Sequence, residues 1–467
     1  MYDEKLIMSE IMLDADKNML EPSDNPINDH ELRSRRFSDS INKFLGEGSR
    51  SVETFSTEWY YVPLLAWTIK CIVASPKMKI VSILGYSLKE PVYREVQTDY
   101  TKFESCIVDG QILIKEDNTR LVITVHTQRG GENFVQVEAC GENHELVKLR
   151  IRAIEDFLKM HNFYKGKKLT LESGISFLSA GQRDWDSVIL DPAMKKEIRL
   201  NTIGFLKNCA QLEKYGIPPK RGIILAGEPG TGKTIVCKAL MTEADKITCI
   251  TTTANGMLDE RYIPDVFSIA QDLSPSLVFI EDIDFIGQER RDFYRGTVPL
   301  ISLLAEMDGI AEKTAIVTVA TTNNLETIDK ALNERPSRFD RLFRITRPIY
   351  QQRADLVKHL SEKIPLSEDV REYIVEATNG FTPAQLQEVL HGMVISHYDI
   401  GEDSMQFNRS DVDSSIALLN IRKNVTIGFN ARPCYHTANG IEQNLMKKEP
   451  QKSVIGYSTL CEPPPTD

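Results

Sequence analysis

Paired cysteines, a long apolar run and an excess of basic residues are all missing from this chain of 467 residues. The eight cysteines (Cys71, Cys106, Cys140, Cys209, Cys237, Cys249, Cys434 and Cys461) stand apart, with no C-x-x-C among them. That spacing is neither a zinc site nor a small disulfide scaffold, and it reads as the reduced thiols of a cytoplasmic protein. The most apolar stretch, Trp59 to Ser75, carries Lys70 and is short for a membrane span. Pro63 suits the first turn of a helix, so the stretch reads as a buried helix and not as a span. Residues 1 to 20 are acidic and mixed, unlike a signal or transit peptide. Lysine and arginine number 56 against 67 acids, a formal net charge of -11. General nucleic-acid binders usually show a basic stripe, so this balance argues against one.

What is present describes a soluble globular protein, 41% hydrophobic and 26% charged. Its length exceeds a single core and fits two or three domains. One stretch organises the rest: GIILAGEPGTGKT, residues 222 to 234. The apolar run Ile223 to Ala226 has the look of a buried parallel strand. It breaks at Gly227. The loop Gly227, Glu228, Pro229, Gly230, Thr231, Gly232 follows, and Lys233 and Thr234 open a helix through Ile235. Strand, glycine-rich loop and helix in this order match G-x-x-x-x-G-K-[ST]. The glycines let backbone N–H groups curl round a polyphosphate, and the helix N-terminus adds favourable partial charge. Lys233 is placed for the β and γ phosphates of ATP, and the Thr234 hydroxyl for Mg²⁺.

The first 31 residues hold nine acids against two bases. Residues 1–55 are expected to form an acidic, disordered arm. Residues 56–165 read as a small α/β domain. Helices are expected over 62–73 and 144–163, and strands over 79–84, 105–114, 120–126 and 133–139. Only its place ahead of the phosphate loop suggests recognition or assembly. A linker is expected at 163–168. Strands are then expected over 246–252, 277–280, 315–320 and 342–345, alternating with helices, which implies a doubly wound parallel sheet. The strand at 277–280 runs into Glu281-Asp282-Ile283-Asp284, acids at the end of a buried strand where such sheets bind ligands. Asn323 follows the strand at 315–320, in reach of an attacking water or a γ-phosphate. Residues 351 to 422 turn helical, and 431–467 are expected to be disordered.

In order and spacing, residues 175 to 425 resemble the AAA family of ATPases. GIPPKRGIILAGEPGTGKT is similar to the family's Walker A approach and SLVFIEDID to Walker B. VATTNN falls at the sensor-1 position, RPSRFDR resembles the second region of homology, and ATNGFTPAQL the start of the lid helix. The resemblance implies a P-loop NTPase subdomain at 175–348 and a helical lid at 349–430. Glu281, Asp282, Asn323, Arg338 and Arg341 would be catalytic, with Glu281 and Thr234 on Mg²⁺. Val188 and Ile189 complete the nucleotide-binding set. The resemblance further implies a homo-oligomeric ring, usually a hexamer, in which Arg338 and Arg341 reach the neighbour's γ-phosphate and hydrolysis drives work on a client protein.

Three departures stand out. Walker B reads Glu281-Asp282 where Asp-Glu is usual, an order also seen in the mitochondrial inner-membrane AAA chaperones. The pore-loop position reads Arg261-Tyr262-Ile263-Pro264, so Tyr262 either grips a threaded chain or packs. The lid carries Pro383 where glycine is common. The 467 residues contain no H-E-x-x-H and one phosphate loop, unlike the zinc-protease members and the tandem unfoldases. Three functions stand open: an ATP-driven protein remodeller, a nucleic-acid-linked motor, and a nucleotide-switched assembly scaffold. Acidic balance favours the first over the second, and the Walker B, sensor and arginine set favours it over the third.

Overall fold

A computed structural model describes residues 41–46, 48–86, 90–127, 133–141, 143–172, 174–179, 181, 183–254, 256, 262–287, 298–310, 314–326, 339–400 and 406–424. The first sheet opens with β1 (Arg50–Ser56). A 3-10 turn, Trp59–Tyr61, leads into α1 (Val62–Val73), with proline in its first turn. Strands β2 (Met78–Leu84), β3 (Val92–Gln97), β4 (Phe103–Glu116), β5 (Thr119–Thr127) and β6 (Asn133–Cys140) follow, then α2 (His144–Met160). The sheet is antiparallel, in the order β1-β6-β5-β4-β2, with β3 also pairing β4. Two elements differ from the sequence expectation. Residues 50–55, placed in the acidic arm, pair with β6 as most of β1. Residues 92–97, given no structure, pair β4 across a bulge. Neither alternates cleanly between apolar and polar, because β1 is an edge strand and only Val96 of β3 is well buried.

The second sheet begins at Lys168, the last residue of the expected linker. Lys168–Leu171 form β7 and Ile175–Phe177 form β8. Leu169 and Leu171 point inward, and that alternation makes the segment a strand. The chain continues through α3 (Pro192–Arg199), a π-turn at Leu200–Gly204 and α4 (Phe205–Leu212). Next come β9 (Lys220–Ala226), α5 (Lys233–Glu243), β10 (Thr248–Thr253), α6 (Tyr262–Asp272), β11 (Ser276–Glu281), the short α7 (Asp284–Gly287), α8 (Val298–Gly309), β12 (Ile316–Thr322) and β13 (Arg341–Arg344). The sheet order is β13-β9-β12-β11-β10-β7-β8, parallel from β13 to β7, with β8 antiparallel at the edge. This is the doubly wound P-loop fold. The chain steps from β9 out to β10, returns through β11 and β12, and crosses to the far side of β9 as β13. Ligands of such sheets bind at the strands' carboxyl ends near that reversal. Four helices follow where the lid was expected: α9 (Tyr350–Leu360), α10 (Glu368–Ala377), α11 (Pro383–Ile400) and α12 (Arg409–Asn424). They pack on their own apolar cluster, which includes Ile374, Leu386 and Val389.

The first sheet does not stand alone. Ile123, Val137 and Ile154 belong to one buried cluster with Phe267, Ile280 and Leu303 of the nucleotide subdomain. Shared burial of this kind makes two units melt together. Phe267→Ala is therefore expected to cost about 3–5 kcal/mol and to lower one common melting transition. Calorimetry that resolved an unaffected first-sheet transition would contradict the shared core.

Candidate functional site

The phosphate loop follows directly from β9. A Cβ on Gly227 would lie 2.3 Å from the Ile345 carbonyl oxygen, so only glycine fits there. Gly230 has φ +80°, in the left-handed region, and Gly232 at φ +106° caps α5. Thr231 closes the loop, its N–H and hydroxyl both donating to the Glu228 carbonyl, at 3.3 and 2.8 Å. Lys233 is buried at the start of α5. Its ammonium donates to the Gly227 carbonyl at 2.7 Å, the Glu228 carbonyl at 3.0 Å and Asn323 Oδ1 at 2.8 Å. Burial pulls the Lys233 pKa down, and the charges of Asp282 and Asp284 push it back up.

The acids arrive on β11. Asn323 Nδ2 donates to Asp282 Oδ1 at 2.9 Å, so Lys233, Asn323 and Asp282 form one hydrogen-bonded line. Asp282 has φ +56°, and its N–H donates to Thr321 Oγ1 at 3.0 Å. Asp284 is buried, and its Oδ1 accepts from the Thr322 hydroxyl at 3.0 Å and the Asn323 N–H at 3.1 Å. Thr321 and Thr322 were not singled out by the sequence reading, and Asp284 entered it only as one of the acids after β11. Their signal was present in E-D-I-D and A-T-T-N-N, two strand ends whose polar residues sit side by side. Glu281, half-buried at the tip of β11, makes no part of the line. Burial pushes its carboxyl pKa up, the Asp282 charge adds to that, and Lys238 opposes it.

The other sequence candidates fall in three places. Thr234 and Ile235 lie exposed on the first turn of α5. Val188 is buried in the nucleotide-subdomain core, whereas Ile189 packs against the lid cluster. Both line a pocket of about 610 Å³ that reaches Asp355 of the lid. A second pocket, of about 480 Å³, runs along the phosphate loop past Gly227, Glu228, Thr231 and Asn323. Arg341 is exposed at the start of β13. Arg338 and Arg261 lie outside the described residues. Asp340, next to Arg341, is pinned to β9: its N–H donates to the Gly222 carbonyl at 2.9 Å and its Oδ2 accepts from Gly222 N–H at 3.1 Å.

Tyr262 takes the packed alternative. Its ring meets Trp59 edge-on, with centroids 5.7 Å apart. Trp59 Nε1 donates to Asp265 Oδ2 at 2.9 Å, and the Tyr60 hydroxyl bonds Ser268 Oγ at 3.1 Å. Pro264 lies in the first turn of α6, where proline is tolerated.

A family profile described as "ATPase family associated with various cellular activities (AAA)" matches residues 223–347, from the middle of β9 to Arg347. The match marks residues 223–347 as an AAA domain. Among curated relatives it is 33% identical over 242 residues to the ATP-dependent zinc metalloprotease FtsH 2 of Salinibacter ruber, covering 50% of this chain and 35% of that protein. It is 35% identical over 196 residues to the proteasome-activating nucleotidase of Methanocaldococcus jannaschii, covering 39% of this chain and 45% of that one. To the Cell division cycle protein 48 homolog of Archaeoglobus fulgidus it is 36% identical over 207 residues, 42% of this chain and 28% of the relative. Each alignment spans less than half of the relative. Among the described residues no helix is long and apolar enough to cross a membrane.

The AAA site carries one testable electrostatic cost. A raised Glu281 pKa means that the folded protein binds the proton more tightly than the unfolded chain. Ionised Glu281 therefore destabilises the fold as pH rises through that pKa. Glu281→Gln is expected to raise the melting midpoint at pH 7.5 by about 1–3 °C. The gain should shrink as the pH is lowered and the wild-type carboxyl protonates. A fall in midpoint at pH 7.5 would mean that the carboxylate is held by favourable contacts instead.

Proposed function

We propose that this chain binds ATP with Mg²⁺, hydrolyses it in a homo-oligomeric ring, a hexamer, and uses the cycle to remodel or unfold client proteins in the cytoplasm. The line Lys233–Asn323–Asp282 carries the reading. It joins the phosphate loop, the sensor position and the Walker B acid, the three parts that phosphoryl transfer to water needs. The names of the relatives support the client class, since one activates the proteasome and another is an ATP-dependent protease. The described cysteines are free thiols, in keeping with a reducing compartment.

In this mechanism the Lys233 ammonium holds the β and γ phosphates. The Asp282 carboxylate accepts a proton from a water whose oxygen attacks the γ-phosphorus. The bond from that phosphorus to the β-phosphate bridging oxygen breaks, leaving ADP and phosphate. Asn323 orients the carboxylate that it already touches. Among the described residues no group of three or more His, Cys, Asp or Glu could hold a metal. Mg²⁺ takes one or two protein ligands and completes its shell from water and substrate phosphates. Thr234 and Glu281 are the ligands proposed here. Bound there, Mg²⁺ would neutralise charge on the phosphate oxygens. Arg338 and Arg341 would act on the neighbouring subunit's ATP, with the Asp340 clamp holding Arg341's strand end to β9.

One observation favours the scaffold reading. Tyr262, held against Trp59, is poorly placed to grip a moving chain. Turnover stimulated by an unfolded protein separates the two, since a scaffold shows none.

Asp282→Asn is expected to keep ATP affinity and lose at least about 10²-fold in turnover, because a carboxamide cannot accept the proton. Full turnover with asparagine would move the base to Glu281. The ring is tested by mixing two inactive homomers. Arg338→Ala should bind ATP and barely hydrolyse it, and Lys233→Ala should fail to bind. With subunit exchange demonstrated by energy transfer between labelled subunits, the mixture should regain partial activity at interfaces pairing an intact pocket with an intact arginine. Wild-type turnover by Arg338→Ala alone would end the shared-site reading.

A further inference from the structure

Glu228 is an acid inside a loop whose geometry suits anions. Its neighbours offer backbone N–H groups and the Lys233 ammonium, yet a carboxylate at this point repels a polyphosphate. The counter-charge comes from elsewhere in the chain. Arg347, between β13 and α9, places Nε 3.0 Å and Nη2 2.6 Å from Glu228 Oε2. Its third branch reaches the lid: Nη1 donates to the Gly380 carbonyl at 2.9 Å, in the turn ahead of α11. The same seam closes a second time, where Ala384 N–H donates to the Gly230 carbonyl at 3.2 Å. A Cβ on Gly230 would lie 2.9 Å from Ala384 Cβ, so loop and lid are in close contact. Arg347 also lines the pocket beside Gly227, Thr231 and Asn323.

We infer that Arg347 is a positioning residue for nucleotide: it masks the Glu228 charge and holds the lid turn against the phosphate loop. The inference rests on the ATP reading above. Both partners are half exposed, with side chains 51% and 56% accessible, so an isolated pair would contribute little. The guanidinium matters because one rigid fork serves two subdomains at once, and a lysine cannot copy that. Binding then needs the charge of Glu228 to be cancelled, and the cancelling group reports where the lid stands.

The test is a double-mutant cycle on ATP affinity by calorimetric titration, with melting curves as a folding check. Arg347→Ala should weaken ATP by about tenfold, since it exposes one carboxylate to the phosphates. Glu228→Gln should tighten ATP by about two- to threefold, since it frees a guanidinium beside them. The double variant should return to within about threefold of wild type. Arg347→Lys should recover only part of the loss, and Arg347→Gln replaces the alanine variant if that one does not fold. Hydrogen exchange at the Ala384 amide gives a readout that needs no nucleotide, and Arg347→Ala should speed it. If Glu228→Gln fails to rescue Arg347→Ala, Arg347 acts on ATP directly and the masking idea is wrong. If Arg347→Ala changes neither affinity nor Ala384 exchange, the contact is an ordinary surface ion pair. Wild type that binds no ATP while Ala384 exchange still depends on Arg347 would overturn the nucleotide reading and leave the loop–lid strap standing.

Discussion

The arrangement at the sheet's carboxyl end depends on one buried ammonium. Lys233 cannot stay charged at such depth without partners, and it takes three: two carbonyls of its own loop and Asn323. Each partner constrains something else. The two carbonyls set the curl of the phosphate loop. Asn323 hands the constraint to Asp282 on the next strand. Asp284 then fixes the backbone that carries Asn323. Nearby carboxylates offset the cost of burying the cation, and the cation offsets theirs. The network is a chain of mutual requirement that ties the loop, Asn323 and Asp282 to one another.

A second constraint runs from the first sheet into the nucleotide subdomain. Trp59 and Tyr60 meet α6 at 262, 265 and 268, positions three apart and hence on one helix face. Burial pushes the Tyr60 phenol up to about 12, so it stays neutral and keeps its bond to Ser268 across the ordinary pH range. Below this contact the shared apolar cluster continues through Phe267 and Ile263. The first sheet is therefore anchored to the helix that follows the loop after β10.

The parts of this architecture that were legible in the sequence share a physical character. Buried parallel strands read as unbroken apolar runs, as at Ile223 to Ala226 and Leu277 to Ile280. The phosphate loop is legible because its glycines are sterically required, as Gly227 against Ile345 shows. What escaped depends on partners distant in sequence. Strand β1 is polar on its own and becomes a strand only because β6 offers an open edge. Helices α6 and α8 carried no sequence expectation, since α6 begins with a proline in its first turn and α8 is apolar nearly all round. Arg347 carried no sequence expectation. Its partners, Glu228 and Gly380, lie 119 and 33 residues away.

The reversed Walker B order has a local explanation in the backbone. Asp282 stands at φ +56°, a region that costs an ordinary L-residue roughly 1–2 kcal/mol. Asp and Asn are found there more readily than most, because a short polar side chain can bond its own surroundings. Glutamate lacks that advantage. The same turn lets the Asp282 N–H reach Thr321 Oγ1 while its carboxylate meets Asn323. One methylene is lost relative to glutamate, but the left-handed turn re-aims the Cα–Cβ bond. Glu281, the last residue of β11, keeps ordinary extended geometry, where a longer side chain carries no penalty. The order Glu-Asp is thus the one this backbone accommodates: the long acid on the strand, and the short acid on the strained turn that touches the sensor.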